Sequence, residues 1–158
     1  MFECFFDGLR MSGGYLLFSA PNLRNTYIKR IPIDKQKPFI QLSQGLQKKN
    51  NDFNIILSRF SSFFSNSIGI EKLTRKLENW HELNFADFIK ELNKAIKQVG
   101  NTPLTKKDEF EWLELFEDNK KKAQELQNQI TQTEKEIDNM VYELYGLTQE
   151  EIEIVEHS

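Results

Sequence analysis

Cysteine is almost missing: Cys4 is the only one among 158 residues, which excludes an intramolecular disulfide and any multi-cysteine zinc site. That usage suits a reducing cytoplasm. Histidine is nearly as scarce, and neither His81 nor His157 has a second His or Cys at metal-ligand spacing, so both read as ordinary surface residues. No run approaches the roughly 20 apolar residues of a membrane span. Glu3 and Asp7 interrupt the aromatic N-terminus, where a secretory signal would need an unbroken apolar stretch. A spaced glycine loop opening a helix is also absent: Gly13 and Gly14 form a pair without a third glycine, which reads as a turn and not as a cofactor cradle.

What is present is charge, unevenly placed. Residues 1 to 100 carry 15 Lys/Arg against 9 Asp/Glu, and residues 101 to 158 carry 6 against 15. The front is therefore +6 and the back −9, so a polyanionic partner would be met near the N-terminus. The densest basic stretch runs from Asn22 to Lys37, where Arg24, Lys29, Arg30, Lys35 and Lys37 face one acid, Asp34. Two readings of it stand open. Arg24, Lys29, Arg30 and Lys35 would contact phosphates while Tyr27, Asn22 or Asn25 reaches a base edge of double-stranded DNA, or the cations protect an edge strand against aggregation.

Residues 1–33 hold three of the seven glycines and two of the four prolines, with apolar residues in short runs, and are expected to form a small β fragment. Within it, Gly13-Gly14 would turn a hairpin and Tyr27 to Ile33 would form a strand, placed at an edge by Pro32. From Asp34, a plausible N-cap, the period changes to helical. Phe39, Leu46, Phe53 and Phe60 recur every seven residues; Leu42, Ile56 and Phe63 take the position three later, with Lys49 the polar exception. Gly45 and Asn50-Asn51 predict a kink or a split in this 34–66 helix. Residues 67–104 read as a helical insertion: a short helix around Glu71 to Trp80, then one capped by Asn84 with Phe85, Phe88, Ile89, Leu92 and Ile96 on one stripe. Thr105 with Asp108 resembles a capping box and opens a 105–146 helix that ends at Gly146, with Phe116, Ala123, Ile130, Ile137 and Leu144 every seven residues and Leu126, Thr133 and Met140 three later. Thr148 with Glu151 repeats the box for a terminal helix over 147–158.

The expected fold is mainly α: an antiparallel, coiled-coil-like hairpin of two long helices with a helical insertion and an N-terminal β remnant. Two long helices with matched seams should zip together, since neither buries its stripe alone. Pairing between two chains in a homodimer is the rival arrangement. No catalytic residue is assigned, because the carboxylates after Asp108 alternate with lysines as a solvated face does and no clustered acids accompany the strand-like region.

Three stretches carry a family resemblance. Gly13-Gly-Tyr-Leu-Leu-Phe-Ser-Ala-Pro-Asn-Leu-Arg-Asn25, followed by Tyr27-Ile-Lys-Arg-Ile-Pro-Ile33 and Gln36-Lys-Pro-Phe-Ile40, resembles the end of the target-recognition region of bacterial type IIG restriction-modification methyltransferases, with their TaqI-like C-terminal specificity domains. The segment Lys72 to Phe88 is similar to the insertion those enzymes carry between two helices, and Glu136 to Val155 is similar to their ending. The resemblance implies a parent enzyme that methylates adenine N6 with S-adenosylmethionine, in some members with a nuclease domain. Its methyltransferase core and cofactor site would lie outside this chain, leaving a DNA-recognition and spacer module with no cofactor of its own. A helical scaffold or dimerisation module that binds a partner protein is the alternative.

Overall fold

The computed structural model describes residues 29–157. The chain divides into two units after Gln36. In the first, Lys29 to Pro32 form no strand and lead straight into helix, which corrects the last part of the expected Tyr27–Ile33 strand. The rest of that β fragment lies outside the described residues. The reason for the correction is local: the Pro32 carbonyl accepts the amides of Lys35 (3.0 Å) and Gln36 (3.2 Å), and the Gln36 side chain donates to the Ile31 carbonyl (2.9 Å). Pro32, with no amide to contribute to a ladder, thus closes the first helical turn. Asp34 falls inside that turn, near the positive end of the helix dipole, and does not cap it.

The second unit is a helical hairpin. Helix α1 (Ile33–Ile68) is followed by α2 (Arg75–Glu78), a 3₁₀ turn (Trp80–Glu82), α3 (Phe85–Gln98), α4 (Lys106–Tyr145) and α5 (Gln149–Glu156). Among the described residues there is no strand, and no helix is long and apolar enough to cross a membrane. The expected split of α1 does not occur: the helix is continuous through Gly45 and Asn50-Asn51. Asn50 returns its amide to the Leu46 carbonyl (3.0 Å) and both flanking seam residues, Leu46 and Phe53, are half-buried, so packing overrides the weak propensity of Gly45 and the asparagines.

The long helices α1 and α4 run antiparallel and pack against each other. Lys49 on α1 donates to Thr133 on α4 (2.6 Å), while ten or more residues further along α1 Phe60 and Phe63 meet Trp112, more than twenty residues earlier on α4. The seam of α4 is as its spacing predicts: Phe116, Ala123, Ile130 and Thr133 are buried, and Leu126, Ile137, Met140 and Leu144 are half-buried. Lys49, the polar exception in the other seam, lies against Thr133. Its charged end is satisfied by a hydroxyl inside an apolar stripe, the kind of contact that fixes register more than it adds stability.

The insertion is no mere connector; among the described residues it supplies eight of the thirteen buried hydrophobic residues of the core. Leu77, Trp80, Phe88, Leu92 and Ile96 are fully buried and meet Phe60 and Phe64 of α1 and Phe116 of α4 in one cluster. Side chains bolt it to the hairpin through main-chain groups: Trp80 Nε1 donates to Leu57 O (3.4 Å) and Asn101 Nδ2 to Ile68 O (3.1 Å) on α1, and Lys120 Nζ of α4 donates to Leu83 O (2.7 Å), while inside the insertion Asn93 Oδ1 accepts from the amide of Leu104 (2.8 Å). The Ile68 carbonyl, the last of α1, has no intrahelical amide to meet it, so Asn101 answers a group that would otherwise be orphaned.

The caps of the later helices follow their sequence. Thr105 accepts from the Asp108 amide and Asp108 from the Thr105 amide; Thr148 and Glu151 repeat this; Gly146 takes the left-handed φ of 70° that ends α4. Thr105→Ala should therefore lower stability by about 1 kcal/mol, seen as a lower urea midpoint with unchanged slope.

Candidate nucleic-acid interface

Of the residues expected at a DNA contact, Asn22, Arg24, Asn25 and Tyr27 lie outside the described residues. Lys29 and Arg30 stand in the lead-in, outside any helix or strand, and Lys35 in the first turn of α1, and all three are exposed. The turn made by Pro32, Gln36 and Ile31 fixes the backbone between them, so three cations are carried on one short, hydrogen-bonded segment. Asp34 is the one acid on it. Chemically such a segment offers long, solvated positive charges, suited to phosphate contact and not to proton transfer.

Cations of the insertion were not singled out by composition. Lys76 on α2 and Lys90, Lys94 and Lys97 on α3 are all exposed. Their only signal in the sequence is the i, i+4, i+7 spacing of the last three, which a solvated helix face shares. Between Lys76 and Lys94 sits Glu91, buried at 8% exposure, its Oε1 accepting from Lys94 (2.7 Å) and Lys76 (3.4 Å). The Lys94 hydrogen bond, with the added field of Lys76, holds that carboxyl below its ordinary range despite burial.

His81 is not the plain surface residue its isolation in sequence suggests. It is half-buried, its ring edge-on to Phe53 (centroids 5.3 Å) and to Trp80 (6.0 Å), with a buried Nδ1 that has no hydrogen-bond partner. Burial pushes its pKa down, only partly offset by the nearby Glu82 carboxylate. The consequence has a definite sign. The unfolded chain takes up the proton near the ordinary histidine pKa of about 6.5 and the folded chain does so only at lower pH, so stability is complete above about pH 6.5 and declines as pH falls below it. Urea midpoints should drop as pH falls below about 6.5, and His81→Phe should flatten that drop. An equal drop in the variant would place the titration elsewhere. His157 is exposed at the tail as expected, its Nδ1 2.8 Å from the Glu153 carbonyl.

No group of three or more His, Cys, Asp or Glu able to hold a metal occurs among the described residues. A groove of about 710 Å³ at the end of α1, lined in part by Ser61, Ser65, Asn66, Glu71, Lys72 and Glu78, is open to solvent and offers no nucleophile with an adjacent base.

A family model described as a domain of unknown function (DUF8810) matches residues 32–141, the interval from the start of α1 through most of α4. No curated protein and no solved structure matches.

Proposed function

Since the chain belongs to the DUF8810 family, defined by a domain and not by an activity, we propose from its geometry and its sequence resemblance that it is a non-catalytic DNA-recognition and spacer module of a restriction-modification adenine-N6 methyltransferase. The observation that carries the spacer role is the hairpin itself. Helix α4 spans 40 residues without Pro or Gly, a rod of roughly 60 Å, braced by α1 and stiffened by the insertion. Such a body suits the transmission of distance. The recognition role rests on the exposed cations Lys29, Arg30 and Lys35, with Arg24, Asn25 and Tyr27 of the same basic stretch. Double-stranded DNA is the proposed partner, together with a methyltransferase core that would bring its own S-adenosylmethionine.

Fluorescence anisotropy of the full chain with a short mixed-sequence duplex tests this. Binding should weaken steeply with salt, and Lys29→Gln, Arg30→Gln and Lys35→Gln should each reduce the salt slope by about one. Unchanged binding by the triple variant across salt concentrations would remove this segment from the interface.

One observation favours a second reading, a scaffold that binds a partner protein: Phe63, Phe110 and Ile154 are exposed at 48%, 76% and 68%. A concentration-dependent dimer in sedimentation, with no affinity for duplex DNA, would support that reading in place of the first.

A further inference from the structure

Helix α3 has two chemically distinct faces. Phe88, Ile89, Leu92, Ala95 and Ile96 are buried against the hairpin. Lys90, Lys94 and Lys97 follow one another at i, i+4 and i+7, which at 100° per residue confines them to an arc of about 60° on the other side. Lys76 reaches the same region from α2, since it and Lys94 share Glu91. Their side chains are 67% and 56% exposed, so the pairing leaves most of each lysine in solvent.

The acids nearby are already engaged. Glu91 is enclosed by its two lysines, and Asp87 is bound to the Asn84 side chain and serves the cap of α3. Four ammonium groups therefore outweigh two committed carboxylates, on a chain whose C-terminal third is acidic. The surface is also preorganised. Anchoring of the insertion through Trp80, Asn101 and Lys120 fixes the direction of the lysine stripe before any partner arrives, so little backbone ordering accompanies binding.

We infer that Lys76, Lys90, Lys94 and Lys97 form a second, sequence-independent contact to the phosphate backbone of duplex DNA. The assignment rests on the DNA-binding reading above and adds a surface to it. Lysine point charges without an exposed aromatic anchor suit phosphates; protein interfaces instead deplete lysine and seat aromatic or arginine side chains in pockets. The stripe is about 10 Å long, enough to meet more than one phosphate of a backbone that carries a charge every 3.4 Å of axis per strand. It reads no bases, because lysines on phosphates position a protein without reporting sequence.

The test measures full-chain binding to a short mixed-sequence duplex from about 50 to 200 mM salt. Lys90→Gln/Lys97→Gln is the primary variant because neither ammonium is paired with the Glu91 carboxylate, so the fold should be left intact, which circular dichroism checks. Its salt slope should fall by about two and its affinity by on the order of tenfold. A control of equal charge change, Lys121→Gln/Lys122→Gln on α4, should move both far less. If the primary variant matches the parent or the control, the lysine face is not a DNA contact, while the DNA reading survives on the parent's binding. A parent that binds no duplex overturns both. If a poly-glutamate peptide binds and loses affinity with the primary variant while duplex binding does not change, the face belongs to an acidic protein and the assignment falls.

Discussion

Trp80→Ala is expected to destabilise the chain by about 3–5 kcal/mol, a large part of the 5–15 kcal/mol that holds a typical domain together. Trp80 is fully buried where three elements meet: its ring lies 4.5 Å from Phe60 on α1 and 6.1 Å from Phe116 on α4, and its Nε1 donates to the Leu57 carbonyl. Alanine would leave a cavity between two long helices that cannot close up, because Lys49 with Thr133 and the α4 seam hold them at their spacing. Trp80→Phe keeps most of the contact and loses the hydrogen bond, so it should cost only about 1–2 kcal/mol. Urea unfolding followed by far-ultraviolet circular dichroism separates the two. Equal midpoints for Trp80→Ala and the parent would mean that the insertion is not part of the cooperative core.

A contrast between neighbours on α1 should be nearly as large. Phe64→Ala is expected to cost about 3–5 kcal/mol and Phe63→Ala about 1 kcal/mol. Phe64 is fully enclosed, edge-on to Phe60 (5.5 Å) and Phe88 (5.7 Å), whereas Phe63 is 48% exposed and touches only the flank of the cluster through Phe60 and Trp112. Heptad spacing predicts the opposite order, since Phe63 occupies the seam and Phe64 does not. Urea midpoints of the two variants decide between them. A larger loss for Phe63→Ala would restore a simple two-helix seam at this end of the hairpin.

That reversal shows why the fold was only partly legible in the residues. Where α4 meets α1 beyond Ala123, two helices face each other alone and a seven-residue repeat is the correct description, so Ile130, Thr133 and Ile137 fall inward as their spacing says. At the other end a third body, the insertion, approaches α1 from a different side. The buried face of α1 rotates toward it and Phe64 replaces Phe63, a change set by long-range contacts that no local period encodes. The capping boxes at Thr105 and Thr148 and the stop at Gly146 were readable because they involve residues three or four apart. The unbroken α1 was not, because its continuity across Gly45 and Asn50 is enforced by packing. His81 failed for the same reason: its environment is made by Phe53, nearly thirty residues earlier.

The candidate interface divides similarly. Charge counting locates Lys29, Arg30 and Lys35, whose exposure needs no tertiary knowledge. The lysine face of α3 has the same composition as any solvated helix side, and only the folded neighbourhood, with Lys76 brought beside Lys94 over the buried Glu91, distinguishes it.

Whether the hairpin closes within one chain is tested most directly by a spin-label distance between Lys48→Cys on α1 and Gln132→Cys on α4, with Cys4 replaced by serine. Antiparallel helices at an interaxial spacing of about 8–10 Å predict one short distance that persists when labelled protein is mixed with excess unlabelled chain. Loss of that distance on dilution with unlabelled chain would mean that the seams pair between molecules. A long distance at every ratio would mean that the two helices do not pack together at all.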